Sequence, residues 1–180
     1  MRMVAQAAQD EIASAPIRLS PIVEPMAEQV EYLLDLAFGY DRHQRTAYRL
    51  REGVAADRSA SVAAYEGDAL VGSLQSWPLA LMEESGAATP LWLIGPIAVR
   101  PDRRSRGIAR VMIGHALAAI DDTGMTAVLI GDPEYYGAFG FSAAFSGGWR
   151  VPGPVERHRL LARPAANQLL PAAGMLGPRR

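Results

Sequence analysis

The segment that most limits the fold is Thr89–Val99, rich in Leu, Ile, Trp and Val. It lacks the polar alternation of a strand with one wet face, so it reads as a central strand buried on both sides. Such a strand needs a layer above and a layer below. Gly95-Pro96 interrupts it. Proline has no N–H to give to a ladder, which predicts a bulge or splay within the strand. The run Arg103-Arg104-Ser105-Arg106-Gly107-Ile108-Ala109 follows, and then a helical pattern to about Asp122. A strand, a short Arg/Gly loop and a helix start make an anion site. The first N–H groups of a helix have no intrahelical partners, and the helix dipole adds partial positive charge there. Gly107 has no Cβ to keep a phosphate from the backbone, and arginine adds charge-assisted donors.

The other elements arrange themselves around this unit. Residues 1–15 are Ala/Gln-rich and are expected to be a flexible tail. Ile17–Leu19 starts a short strand, and Met26–Phe38 carries Val30, Leu33, Leu34, Ala37 and Phe38 at helical spacing. Thr46–Glu52 predicts a short second helix. Ser61–Tyr65 and Leu70–Pro78 form a hairpin about Glu66-Gly67-Asp68, and Glu83–Ala88 makes a second turn. In the helix Arg106–Asp122, Ala109, Met112, Ile113, Ala116 and Ile120 are expected to face inward. Ala127–Ile130 predicts a buried strand, Tyr135–Phe139 one or two helical turns, and Phe141–Phe145 another strand. Gly147-Gly148 is a flexible break, with strand pieces at Trp149–Val151 and Arg157–Arg163. The domain is expected over residues 16–165, with 166–180 a loose Pro/Gly-rich end. The fold class is α/β, a mixed sheet with helices on both faces.

Composition narrows the chemistry. The 180 residues fit a single domain. No apolar run approaches the roughly 20 residues of a membrane helix. Gln6, Gln9, Asp10 and Glu11 interrupt any leader-like region before Ala13-Ser14-Ala15, so the N-terminus reads as uncleaved and the protein as cytoplasmic, with no membrane partner. There is no cysteine, which excludes disulfides, thiolate metal sites and a cysteine nucleophile. There is no lysine either, since all 18 basic residues are arginine, which excludes a P-loop and a Schiff base. A net charge of −1 argues against nucleic acid as a partner. No His/Asp/Glu spacing suggests a metal.

Two segments resemble the GNAT superfamily of acyl-CoA-dependent N-acyltransferases. Leu93-Ile94-Gly95-Pro96-Ile97-Ala98-Val99-Arg100-Pro101 with Arg104-Ser105-Arg106-Gly107-Ile108-Ala109 is similar to that family's central strand and Arg/Gln-x-x-Gly-x-Gly/Ala loop. Gly131-Asp132-Pro133-Glu134-Tyr135-Tyr136-Gly137-Ala138-Phe139-Gly140-Phe141 is similar to its late Tyr-x-x-x-Gly-Phe element. Together with the element order, the resemblance covers roughly Ile17 to Arg163. It implies an acyl-CoA N-acyltransferase fold with splayed central strands, and acetyl-CoA as cosubstrate without a metal. Backbone N–H groups of Arg104, Ser105, Arg106, Gly107, Ile108 and Ala109 would meet the pyrophosphate. Side chains of Arg103, Arg104 and Arg106 would reach phosphates. Ile97, Ala98 and Val99 would line the pantetheine arm, with main-chain groups from Ile97 and Val99. Ser105 and Ala109 stand where the pattern often carries glycine.

The same resemblance aligns Tyr136 with the family's general-acid tyrosine. A thioester that loses its acyl group expels a thiolate with a pKa near 8.5, as for free cysteine, and a placed phenol stabilises that charge. An amine acceptor, small or on a protein, must shed a proton. Asp132 follows a strand and is the first candidate, although capping the next helix competes for it. Glu134, Glu83, Glu84, Asp41 and His43 are the others, and the Leu79–Thr89 turn and first helices are expected to border the acceptor. The implied function is N-acetylation of a primary amine in a ternary complex, and family members often form homodimers. A non-catalytic acyl-CoA-binding module is the alternative, and a nucleotide- or RNA-binding protein a weaker third.

Overall fold

The computed structural model describes residues 15–180, so the tail expected over residues 1–15 lies outside the described residues apart from Ala15. The elements are β1 (Ile17–Pro21), α1 (Ala27–Phe38), α2 (Thr46–Arg49), β2 (Val62–Glu66), β3 (Ala69–Met82) and β4 (Ala88–Val99). They continue as α3 (Ile108–Asp121), β5 (Ala127–Ile130), α4 (Pro133–Tyr136), β6 (Gly148–Arg150), β7 (Leu160–Arg163) and β8 (Ala173–Pro178). The strands lie in the order β1-β2-β3-β4-β5-β7, with β8 paired to β3 and β6. Within the main path only β4 and β5 run parallel, joined by the crossover helix α3.

The alternation within β4 shows why it sits at the centre. Trp92 and Ile94 join the cluster under α3, which includes Val71, Leu74, Met112 and Ile113. Leu91 and Leu93 point to the other face and pack with Leu79, Leu81, Val128 and Trp149. In α3 the buried residues are Ile108, Met112, Ile113, Ala116, Leu117 and Ile120, a helical stripe of the expected kind. Ile108 takes the inward place expected for Ala109, which is half-buried. Helix α1 lays Val30, Leu33 and Leu34 over Ala98.

The expected splay is present. β4 pairs with β5 only at Trp92↔Ala127 and Leu93↔Val128, so Ile94–Val99 continues with no strand on that edge among the described residues. On the other edge the register with β3 shifts between Leu74↔Ile97 and Ser76↔Ile94. Gly95 and Pro96 there face the single residue Gln75, a bulge that bends the strand. Trp77 Nε1 donates to the Gly95 carbonyl at 2.9 Å and holds the bend.

Three expectations are corrected. Phe141–Phe145 is not a strand. Ser142 makes one bridge to Ala162 and then turns its hydroxyl to cap Ala144 N–H at 3.1 Å, a local bond that displaces a ladder. The segment 143–145 is a 3₁₀ turn. Gly147-Gly148 is not simply a break, since Gly148 opens β6. The end of the chain is not loose. Residues Ala173–Pro178 pair with Leu79–Met82 of β3, and Leu176 is 1% exposed. A Cβ on Gly174 would meet the Leu81 side chain at 2.8 Å, so the small residue allows that close pairing.

Candidate active site

The free edge of β4 can be assigned residue by residue. Arg100 N–H donates to Val71 O at 2.9 Å, toward β3. Main-chain groups alternate sides along a strand, so Ala98 also faces β3, while Ile97 and Val99 present theirs to the open edge. Ala98 therefore lines the site with little main chain to offer. A groove of about 520 Å³ runs beside this edge, bounded by Ile97–Val99, the loop residues Arg103–Ser105 and Gly107, the first turn of α3 and Tyr136.

The loop that ends the groove is shaped for an anion. Gly107 caps α3 in the left-handed region at φ 77°, and no protein atom lies within 4 Å of where its Cβ would be. The backbone is open to a ligand there. Ser105 also adopts positive φ, at 62°, a conformation that costs a side-chain residue about 1 kcal/mol. The arginines divide. Arg103 Nε donates to Glu66 Oε2 at 2.5 Å. Arg106 Nη1 lies 2.9 Å from Glu66 Oε1, near enough to pair but poorly aligned for a hydrogen bond. Donation from Arg103, with the charges of both arginines, holds the Glu66 carboxyl below its ordinary range, against the opposing effect of burial. Arg104 has no ion pair among the described residues, so its guanidinium is free for a ligand. Arg106, expected to reach phosphate, does not line the groove. Arg110 does, and its charge lies 5.4 Å from the Phe139 ring centre. Its place one turn beyond Arg106 was the signal in the sequence.

A second cavity, about 730 Å³, lies on the far side of the splay. It shares Phe38, Ile97, Tyr135 and Tyr136 with the first, so the two meet at those four residues. Its walls come from α1 and α2, from Gly95-Pro96 of β4, and from the loop 154–159.

Tyr136 stands at the junction. Its ring packs edge-on against Tyr135 at 5.0 Å and Phe141 at 6.2 Å. Gly131 makes room for it, since a Cβ there would lie 2.4 Å from Tyr136 Cε2. Burial, then the neighbouring Tyr135, pushes the Tyr136 phenol up to about 12, so it stays protonated at neutral pH. Asp132 caps α4, its Oδ1 accepting Glu134 N–H at 3.1 Å. It also lines the second cavity.

Residues 19–144 match the family model described as acetyltransferase (GNAT) domain. The chain belongs to the GNAT family. An uncharacterized N-acetyltransferase from Streptomyces avermitilis is 29% identical over 147 residues, covering 77% of this chain and 34% of that protein. The chain thus spans about a third of the length of this curated relative. Among solved structures, the GNAT family N-acetyltransferase YhbS of Escherichia coli, in complex with CoA, superposes with a TM-score of 0.70. It is 22% identical, over 92% of this chain and 90% of that one. A GNAT family acetyltransferase of Brucella melitensis, in complex with acetyl-CoA, gives 0.63 at 22% identity, over 91% and 96%. At these identities the likeness is one of fold, and it is the GNAT fold of a mixed sheet flanked by helices.

Within this GNAT domain some residues expected to border an acceptor lie away from both cavities. Glu83 and Glu84 lie in the β3–β4 turn, where Glu84 sits 3.8 Å from Arg150, and neither lines either of these two cavities. No residue of the Leu79–Thr89 turn lines either cavity. Asp41 and His43 also lie off the cavity walls, whereas their neighbours Arg42 and Arg45 are on them. Arg42 and Arg45 stand three residues apart, one 3₁₀ repeat, and so share a side of the turn Tyr40–Gln44. Sequence reading missed Arg51, Arg159 and the 154–159 loop, which reach the cavity only through tertiary packing.

Proposed function

We propose that this domain transfers an acetyl group from acetyl-CoA to the primary amine of an acceptor, both bound at once. The observation that carries this reading is the meeting of two open cavities at Tyr136. A domain that only held acyl-CoA would need the first cavity alone. The CoA and acetyl-CoA in the YhbS and Brucella structures support the choice of donor. The absence of cysteine supports direct transfer, since no thiol is present to carry the acyl group.

The chain's residues divide the work. Amides of Ser105–Ala109 at the start of α3 and the Arg104 guanidinium receive the pyrophosphate. Arg103 and Arg106, clamped by Glu66, hold the loop in shape. Ile97 and Val99 hydrogen-bond the pantetheine arm along the open edge and direct an N–H toward the thioester carbonyl. An alkylammonium of pKa near 10.4 is neutral about one part in a few thousand at pH 7, so a proton acceptor is needed. Asp132 takes that role through solvent, its Oδ2 lying outside the cap. The neutral amine attacks the carbonyl carbon, the C–S bond breaks, the Tyr136 phenol gives its proton to the departing thiolate, and the surplus proton on the acylated nitrogen returns through solvent to the Tyr136 oxygen. Asp132→Asn keeps an oxygen for the cap and removes the base, so kcat should fall while stability holds. Equal activity in Asp132→Asn and the parent would remove Asp132 from the scheme.

The whole reading is tested by incubating the protein with acetyl-CoA and a panel of primary amines while following free thiol. Transfer predicts amine-dependent thiol release. Tight acetyl-CoA binding without release on any amine would identify a binding module instead.

A further inference from the structure

Two buried arginines share one wall of the second cavity, and their surroundings differ sharply. Arg42 is 2% exposed, and its guanidinium donates to Glu31, Asp35 and Tyr48. It is neutralised where it lies. Arg51 is 8% exposed and has no carboxylate partner among the described residues. Its Nη1 is sealed from solvent without an acceptor. The group lies over two rings, 3.8 Å from the Tyr48 centre and 4.6 Å from that of Trp77. Burial lowers its pKa, the opposite of the direction at Arg42.

A buried charge without a counter-ion is costly, and the cost is relieved by an anion that enters with good geometry. Contact with the two rings restrains the guanidinium, and its fork of N–H donors fits the two oxygens of a carboxylate. Arg45 and Arg159 add positive charge to the same cavity, against the exposed acids Asp132 and Glu156. The volume of about 730 Å³ suits a small molecule.

We propose that the acceptor is a small amino-carboxylate, and that Arg51, clasped by Tyr48 and Trp77, receives its carboxylate while its amine points to Tyr136. This inference rests on the transfer reading above and narrows its substrate class.

The test uses matched pairs of α-, β- and γ-amino acids and the amines left by removing their carboxyl group. Each is assayed for thiol release with acetyl-CoA. A bound, charge-assisted carboxylate predicts that some amino acids exceed their matched amines in kcat/KM by about 10- to 100-fold. Arg51→Met should bring that ratio to within about threefold of one. Arg51→Lys, which keeps charge without the fork, should retain only part of it. CoA titration establishes that each variant is folded, and if Arg51→Met is not, the parent's ratio and Arg51→Lys decide. In parallel, thermal stabilisation of the CoA-bound parent by each probe reads binding without turnover. Transfer to both members of every pair at similar rates, or a ratio that survives Arg51→Met, overturns the carboxylate site and leaves the transfer reading intact. Stabilisation by amino acids but not amines, with no thiol release, keeps the carboxylate site and overturns transfer. Neither stabilisation nor preference for any amino acid overturns the proposal.

Discussion

Gly131 and Tyr136 form a single device at the residue scale. The phenol can stand at the cavity junction only because residue 131 has no side chain, a Cβ there coming within 2.4 Å of the ring. Gly131→Ala should push the ring from its place and lower kcat by about 10-fold or more, since small misplacements of an acid are expensive. Tyr136→Phe should lower kcat about 10- to 1000-fold and leave acetyl-CoA affinity nearly unchanged. Steady-state kinetics beside CoA titration check both, and full activity in Tyr136→Phe would remove the acid from the scheme. The raised phenol also fixes a pH limit. A group that acts as an acid works below its pKa and fails as pH rises through it. With that value near 12, kcat at saturating acceptor should not decline between about pH 8 and pH 10. A fall titrating near pH 8 would point to another acid.

Elements bring more distant segments under test. Glu66 ends β2 and ties the β2–β3 hairpin to the loop before α3 through Arg103 and Arg106. Donation from Arg103, with the charges of both arginines, lowers its folded-state pKa from an ordinary 4.5. A lowered pKa gives stability that is complete above the unfolded value and lost as pH falls through the folded one. The stability difference between the parent and Glu66→Gln should therefore be level from pH 6 to 8 and shrink below about pH 4.5, read by denaturant melts. A difference independent of pH would mean that the carboxylate is not what ties the loop. At the other end of the chain, Leu176 of β8 packs with Leu79, Leu81 and Trp149. Leu176→Ala should cost about 2–4 kcal/mol of unfolding free energy. A surface-like change of less than about 0.5 kcal/mol would show that β8 is not held in the sheet.

For the whole molecule, the loop and the core are joined through α3, which begins at the Gly107 cap and carries six buried residues. A ligand that binds only the folded state stabilises all of it. Acetyl-CoA at about a hundred times its dissociation constant should add about 2.7 kcal/mol and raise the melting temperature. Arg104→Gln should weaken that shift at equal acetyl-CoA without altering the melt of the free protein, because Arg104 makes no ion pair among the described residues. An undiminished shift in Arg104→Gln would transfer the phosphate contact to the backbone amides and Arg110.

The local part of this architecture was readable from the chain. The two-faced apolar run of β4, the Gly95-Pro96 break, the loop ending at Gly107 and the cap at Asp132 depend on patterning, backbone chemistry and near neighbours, which sequence states directly. Their use at one site was not readable to the same degree. Which arginine stays free depends on Glu66, 37 residues from Arg103, and which buried arginine lacks a counter-ion depends on Glu31 and Asp35 choosing Arg42. The strand at Ala173–Pro178 has the Gly/Pro composition of a loop and becomes a strand only because β3 offers it an edge. Periodicity and local bonding thus set the elements and the anion loop, whereas long-range pairing of charges and strand edges decided which groups remain for a ligand.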